Sequence, residues 1–562
     1  MSTASTKSKR GKQERVDPRA TTGKGRARYD AQPAESADVS DRVWLFSALI
    51  ILCVGAFLRF YDLALVPLHH DEGVNGNFLV RLVREGKYSY DPANYHGPTL
   101  YYITAVISWI IKFLFGDAAR DTYGLNTITI RLVPAVFGLA TIVLVFCLRR
   151  QLGSIAVLAA GLLLALSPGA VYLSRYFIHE TLFVFFTLGI VVAGLRFYEK
   201  KNPGYLMLAA VSAALLFASK ETAMISAGVL IIALVVTHPY VRFCRQIVGV
   251  KGLPARGKND LRSTLDDFVD ALGGPVQVGI WIVLAALVFL TVYVLFYSSF
   301  FTNWKGVNDS LKTFEIWTKT GKKDHIHPFI TYFYWLMSQE ISLLFLGTIG
   351  AAITVLKPKN SFALFSALWA FGLLTAYCLV PYKTPWLALN FILPLALIAG
   401  YSIQAIWEMD RKQWRLPVVI MLAATGWSVY QTVDLNFFNY DNDNEYYVYV
   451  YAHTKRGTTQ LVKEIERLAQ QTEQGKQTGI TIVSKDYWPL PWYLRDFSRV
   501  GYYGVMTSTT EPIIIASEDQ KAEMEARFGD QYVLVPSGTA SGGFDLRPGV
   551  TLLLYVRRGV NP

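Results

Sequence analysis

The sequence predicts an α-helical polytopic membrane protein of about eleven transmembrane helices, followed by a small C-terminal α/β soluble domain. Three observations carry this reading. Of 562 residues, 52% are hydrophobic and only 17% charged, and mean hydropathy is +0.30, whereas a soluble chain of this length must cover its surface with charge. Apolar runs of the ~17–25 residues needed to cross a hydrocarbon core recur throughout 43–433. Beyond residue 434 the runs stop, and 13 basic residues stand against 16 acidic ones, unlike the whole chain with its net charge of +12.

Residues 1–42 read as a disordered, basic cytosolic tail. The first 28 residues hold nine Lys/Arg against two acids and too few bulky apolar side chains to bury a core. Such a tail suits an anionic lipid surface or a topology-setting role. No cleavable signal is expected before the first apolar run at Val43, and no nucleic-acid partner, because no folded basic face accompanies the tail. Spans are expected near 43–60, 130–148, 153–173, 181–197, 204–219, 222–238, 276–299, 341–356, 361–380, 386–406 and 416–433. The apolar stretch 99–115 is assigned to the outer surface as an interfacial helix. That choice keeps Arg149, Arg150, Lys200, Lys201 and the basic 242–262 loop on the side of the cationic N-terminus, as the positive-inside rule prefers.

The domains that follow are a transmembrane domain over 43–433, with a first outer loop at 62–129, and an extracytoplasmic domain over 434–562, in a plasma or inner membrane. Segments 174–180, 220–221, 301–328 and 381–385 face the same outer side. In the soluble domain, 458–470 has helical periodicity through Leu461, Ile465 and Leu468, and 520–528 looks like a second helix. Strands are expected at 480–483, 512–515, 531–535 and 550–556. Cys53, Cys147, Cys244 and Cys378 fall in apolar segments or a cytosolic loop, so no disulfide framework is expected.

Ionisable residues cluster at span ends on the outer side. His69-His70-Asp71-Glu72 puts two carboxylates beside two histidines at the water face, a site for a proton acceptor or a hard cation. Arg175, His179 and Glu180 lie where two apolar spans meet, and a charge at such a place is costly unless paired or functional. Lys220-Glu221 occupies the next outer turn. Singly, each reads as an interfacial anchor; together, a helix bundle would bring them to one place. His325 and His327 have metal-like spacing but read as solvent-facing in a loop, 301–328, able to act as a mobile lid. Tyr446 to Tyr451 alternates at strand period, and Trp488 and Trp492 read as packing residues.

The ordered series of motifs resembles a known family. A first span, an outer Asp-Glu loop, Gly97-Pro98-Thr99-Leu100-Tyr101-Tyr102 on an interfacial helix, then Arg131-Leu132-Val133-Pro134-Ala135, is similar to the GT-C membrane glycosyltransferases, in the protein O-mannosyltransferase and aminoarabinose transferase branch. Within it, Asn94-Tyr95-His96-Gly97-Pro98, Tyr382-Lys383-Thr384-Pro385-Trp386 and Trp488-Pro489-Leu490-Pro491-Trp492-Tyr493-Leu494-Arg495-Asp496 resemble a prokaryotic subgroup called flippase activity-associated proteins. The likeness covers residues 43–500.

The resemblance implies transfer of a sugar from a polyprenyl-phosphate donor to an acceptor hydroxyl, which is a protein, lipid or glycan. Asp71 matches the family's catalytic aspartate and would be the general base. Glu72 is the neighbouring acid, and Glu180 aligns with a second acidic position that is usually Asp. A divalent cofactor stays open, with Asp71 and Glu180 as its ligands. His96 stands where relatives carry a lysine for the phosphate; Arg131, Arg175 and Lys383 are further cations that could reach it. His179, Lys220, Glu221 and Tyr382 complete the expected binding set. The competing reading is a lipid-linked-oligosaccharide flippase or transport protein without transfer chemistry. It would place charges near the bilayer midplane, and a scaffold that has lost its chemistry is a third reading.

Overall fold

The computed structural model describes residues 39–93, 96–246, 260–320, 325–409, 414–537 and 542–560. The N-terminal tail therefore lies outside the described residues up to position 38, and Asn94 and Tyr95 of the His96 motif do too. Among the described residues, eight helices are long and apolar enough to cross a membrane, and two bent pairs raise the count to ten. The expected span 204–219 is the helix Pro203–Phe217, which at 15 residues falls short of that length, so the spans number eight to ten against the eleven expected.

Two departures from straight spans have identifiable causes. The expected span 153–173 breaks by 61° between Ser154–Ala165 and Pro168–Ser174, because Pro168 has no N–H for the ladder and its ring disfavours helix before it. Ser167 takes over as cap, its hydroxyl accepting from the Ala170 N–H at 3.1 Å. The span expected at 341–356 is preceded by a second helix, Thr331–Gln339, turned 113° from it. Glu340 at that corner accepts from the Ser167 hydroxyl at 2.7 Å and the Gly169 N–H at 2.8 Å, so one buried carboxylate fastens both bends together.

The helix Leu389–Met409 is the most enclosed, packed between Ser154–Ala165, Ile341–Leu356 and Ser361–Leu379. Close approach there depends on small residues. A Cβ on Gly400 would come within 2.2 Å of the Ala156 carbonyl oxygen, and one on Gly350 within 2.2 Å of that of Ile398. At the periphery, Pro275–Tyr297 leaves nearly all of its apolar surface unburied within the protein.

Three elements frame the site. Helix α1, Asp41–Phe60, is the first span. Helix α2, His70–Glu85, starts at the histidine pair, so the Asp-Glu segment read as loop opens a helix instead. Helix α3, Thr99–Phe115, is the apolar stretch expected at the interface, and its far end leaves Phe113, Leu114 and Phe115 exposed. A further helix, Lys305–Thr320, occupies much of the loop expected at 301–328. Beyond it, residues 325–327 pair antiparallel with 381–383, through Ile326 against Tyr382 and the bonds His327 N–H to Pro381 O and Lys383 N–H to His325 O.

The last span continues as helix to Phe438, so residue 434 is not a structural break. Tyr446–Tyr451 forms turns rather than the expected strand, with Val448, Tyr449 and Val450 buried against the bundle. The α/β unit then begins with the helix Gly457–Gln471. Its sheet has the order β2-β1-β3-β6-β4, with β1 Ile480–Ile482, β2 Val500–Tyr502, β3 Ile513–Ser517, β4 Tyr532–Leu534 and β6 Val550–Arg557. Strand β5, Phe544–Arg547, forms a hairpin with β6. The expected strands appear as β1, β3, β4 and β6; β2 and β5, three and four residues long, were not anticipated.

Candidate active site

The site is built on the N-terminus of α2. His69 is the cap: its Nδ1 accepts from the Asp71 N–H at 3.1 Å, while its Nε2–H donates to the Tyr451 carbonyl at 3.1 Å, which fixes a neutral tautomer. Glu72 completes a capping box by accepting from the His69 N–H at 3.0 Å. Asp71 stands between them in the first turn, its side chain 39% exposed, where the helix dipole favours a carboxylate.

Asp71 faces a cavity of about 400 Å³, whose wall includes His70, His96, Lys220, Glu221, Tyr382 and Arg547. The part of the wall that carries His96, Lys220 and Glu221 is fixed by backbone. The Gly97 N–H donates to the Ser219 carbonyl at 2.9 Å and the Thr99 N–H to that of Ala218 at 3.1 Å, which clamps the start of α3 to the turn carrying Lys220 and Glu221. A Cβ at position 97 would lie 2.0 Å from the Ala218 oxygen, so only glycine allows this approach. The result is a contact between His96 Nδ1 and Glu221 Oε2 at 3.4 Å.

Behind it, Lys220 Nζ donates to Glu180 Oε1 at 2.5 Å, both side chains 4% exposed. Burial opposes charge on Lys220, but Glu180, then Glu221 and Asp71, outweigh it and hold its pKa above the ordinary lysine value. Burial likewise acts against the Glu221 carboxylate, and His96 and Lys220 overcome it and hold the pKa low. The cluster thus sets the Lys220 ammonium among carboxylates in a nearly dry wall, with Asp71 close enough to act on it. His179 donates from Nε2 to the Gly97 carbonyl at 2.9 Å, and burial holds it neutral, its pKa well below the usual imidazole value.

Several expected site residues are committed elsewhere. Glu72 and Arg131, 0% and 1% exposed, form a bidentate pair with bonds of 2.7 and 2.6 Å. Glu72 also accepts from the Phe177 N–H, and Arg131 donates to the carbonyls of Leu63, Val66 and Pro67. The pair is a rivet that holds the loop before α2, and neither partner reaches the cavity. Arg175 donates to the carbonyls of Leu58, Tyr61 and Asp62, where it caps the C-terminal end of α1. Lys383 is buried and donates to the carbonyls of Val380 and His327. Glu180 stands behind Lys220 rather than on the wall. Of the two residues read as possible metal ligands, Glu180 is bonded to the Lys220 ammonium, and among the described residues no three His, Cys, Asp or Glu side chains form a ligand group.

The remaining wall comes from far along the chain. Tyr382 and Trp386 line it from the turn after Ser361–Leu379, and His325 does so with Nδ1 2.7 Å from the Tyr451 hydroxyl. Arg547 of β5 reaches it from the soluble domain, a residue that no local sequence signal marks. The soluble domain is seated on α2 itself. Trp492 is buried against Gly76, the Trp488-Pro489 step lies against Gly73, and the Tyr493 hydroxyl accepts from the Leu68 N–H at 2.8 Å. Trp488 and Trp492 are therefore packing residues, as their composition suggests.

Residues 104–252 match the family model described as dolichyl-phosphate-mannose-protein mannosyltransferase. Among solved structures, ArnT from Cupriavidus metallidurans bound to undecaprenyl phosphate aligns with a TM-score of 0.55 at 14% identity, over 91% of this chain and 97% of that one. The apo oligosaccharyltransferase from Archaeoglobus fulgidus aligns with a TM-score of 0.53 at 12% identity, over 86% of this chain and 70% of that one. The oligosaccharyltransferase AglB from Archaeoglobus fulgidus, in complex with an inhibitory peptide and a dolichol-phosphate, aligns with a TM-score of 0.50 at 13% identity, over 85% of this chain and 70% of that one. No curated protein matches. The chain therefore shares its fold with ArnT and AglB, and over residues 104–252 it is similar to the dolichyl-phosphate-mannose-protein mannosyltransferase family.

Proposed function

We propose that the protein transfers a sugar from a polyprenyl-phosphate-linked donor to an acceptor hydroxyl at the extracytoplasmic face of the cell membrane, with Asp71 as the general base. The reading is carried by one observation: a partly exposed carboxylate at a helix N-terminus opens onto a cavity also lined by His96, Glu221 and Lys220, with Glu180 bonded to Lys220 behind the wall. Transfer from a glycosyl phosphate needs a base for the acceptor proton and positive groups where charge collects on the leaving phosphate. Asp71 supplies the first. For the second, Arg547 and Lys220 line the same cavity, Lys220 held charged by its carboxylate neighbours, with His96 and Tyr382 beside them.

The basic loops 149–150 and 199–201 then lie on the cytosolic side, with the N-terminus, and the cavity and the α/β domain outside. ArnT and AglB were solved with undecaprenyl phosphate and dolichol-phosphate respectively, which supports a lipid-linked donor for the shared fold. A transport reading gains nothing from the charge placement, since the ionisable groups of the cavity gather at helix ends.

The test is reconstitution with a radiolabelled polyprenyl-phosphate hexose and candidate acceptors. Transfer is expected, and Asp71→Asn is expected to lower it at least about 100-fold, the span of general-base contributions. Undiminished turnover in that variant would remove the base assignment. Protein-dependent movement of intact lipid-linked sugar across the vesicle, with no donor consumed, would replace the enzyme by the transporter.

A further inference from the structure

The cations expected to hold a donor phosphate are mostly engaged elsewhere. Arg131 is bound to Glu72, Arg175 to the end of α1, and Lys383 to two carbonyls. Lys220 remains, but Glu180 is bonded to it and Glu221 and Asp71 are close enough to shift it. A phosphate placed there meets one ammonium already balanced by more than one carboxylate.

Arg547 differs from these. It comes from β5 of the soluble domain and lines the same cavity. Its Nη2 donates to Asp486 Oδ1 at 3.0 Å, the two side chains 20% and 35% exposed. That single bond orients the guanidinium, and its Nε is buried with no partner in the protein. A guanidinium has five N–H donors in a rigid fork that matches phosphate oxygens. Around it, His70 and Asp71 come from α2, Tyr451 and Ala452 from the segment before the α/β unit, and Asp486 from its own domain.

We propose that Arg547 binds the phosphate of the polyprenyl-phosphate group, so that the soluble domain supplies part of the lipid-phosphate site. This rests on the donor class proposed above. The chemistry recognised is a phosphate ester, and only the lipid-linked form brings its phosphate to the boundary between bundle and domain. The partly exposed Asp486 accepts from Arg547 Nη2 and so holds the guanidinium where it lines the cavity. When the ligand enters, the remaining N–H groups donate to it without the guanidinium having to leave its partner.

The experiment uses the full chain in lipid nanodiscs and measures binding of undecaprenyl phosphate, of undecaprenol without phosphate, and of inorganic phosphate. Wild type is expected to prefer the lipid phosphate to the alcohol. Arg547→Gln should weaken lipid-phosphate binding about tenfold or more, the span for losing hydrogen bonds to a charged group, while binding of the alcohol stays unchanged and shows the variant to be folded. Arg547→Lys should fall between, keeping the charge without the fork. Asp486→Asn should bind the lipid phosphate at least as well as wild type.

Equal affinity of wild type and Arg547→Gln for the lipid phosphate would overturn the proposal. So would an equal loss in Asp486→Asn and Arg547→Gln, because the pair would then be a strut. If inorganic phosphate binds at Arg547 as tightly as the lipid form, the site is a general anion site and the lipid-specific part fails. If wild type itself does not prefer the phosphate to the alcohol, the donor class proposed above fails first, a result distinct from any change at Arg547.

Discussion

Asp71 and Glu72 are neighbours in sequence with opposite fates. Both fall in the first turn of α2, but successive positions on a helix point about 100° apart. One carboxylate therefore faces the cavity while the other turns inward to Arg131. The inward member is structural: removing one partner of a buried pair leaves the other uncompensated, at a cost of about 3–5 kcal/mol. Glu72→Gln is expected to lower the thermal midpoint and the yield of folded protein, whereas Asp71→Asn keeps the midpoint near wild type and loses turnover. Thermal unfolding in detergent alongside the transfer assay separates the two. The acid pair itself was legible as His69-His70-Asp71-Glu72. The division of labour was not, because it depends on Arg131, 59 positions away from Glu72. The same holds for Arg175 and Lys383: a lone cation near a span end looks the same whether it awaits a phosphate or caps carbonyls. Arg547 carried no signal at all, since only the seating of the domain brings it to the cavity.

At the scale of elements, α2 is shared property. One side carries Asp71 to the cavity, and another, through Gly73 and Gly76, receives the soluble domain. A Cβ on Gly73 would lie 2.6 Å from the Pro489 Cβ and 2.9 Å from its Cα, so the contact cannot relax by a rotamer change alone. Gly73→Ala should gain less than about 1 kcal/mol in helix propensity and lose about 1–3 kcal/mol to overpacking. The expected outcome is a lower thermal midpoint and faster proteolytic release of fragments from the soluble domain; resistance equal to wild type would show that the seam yields. The helical spans were readable from length and hydropathy alone. Their bends were not, for the 61° break follows from Pro168, but the 113° corner at Glu340 is set by its bonds to Ser167 and Gly169, more than 170 residues earlier. Strands β2 and β5 escaped because Val500-Gly501-Tyr502 has a glycine at its centre and Phe544-Asp545-Leu546-Arg547 has no β-branched residue, so neither shows the apolar run that marks β1 and β3.

For the molecule as a whole, buried histidines set a pH dependence. His70, His179, His327 and His453 all have pKa values below the ordinary imidazole value, in each case chiefly because burial penalises the charged form. The unfolded chain takes up these protons near pH 6.5. Below that pH the unfolded state binds more protons than the folded one, so stability falls as pH falls, while above about pH 7.5 the penalty is absent. Thermal midpoints measured from pH 8 to pH 5.5 should decline with the steeper part below about 6.5, and His453→Gln should flatten the slope. A flat profile in wild type would count against neutral, buried imidazoles in the folded state.

The seam between α2 and Trp488, Pro489 and Trp492 has a consequence for how such a chain can be rebuilt. A chimera that exchanges the outer domain for a relative's must carry the matching helix surface with it, or the arginine on the far lobe will hang over the wrong spot. Recombination points are better sought inside the spans than at the point where the last one ends, and a truncated membrane half would keep Asp71 but lose the part of the cavity wall that Arg547 supplies.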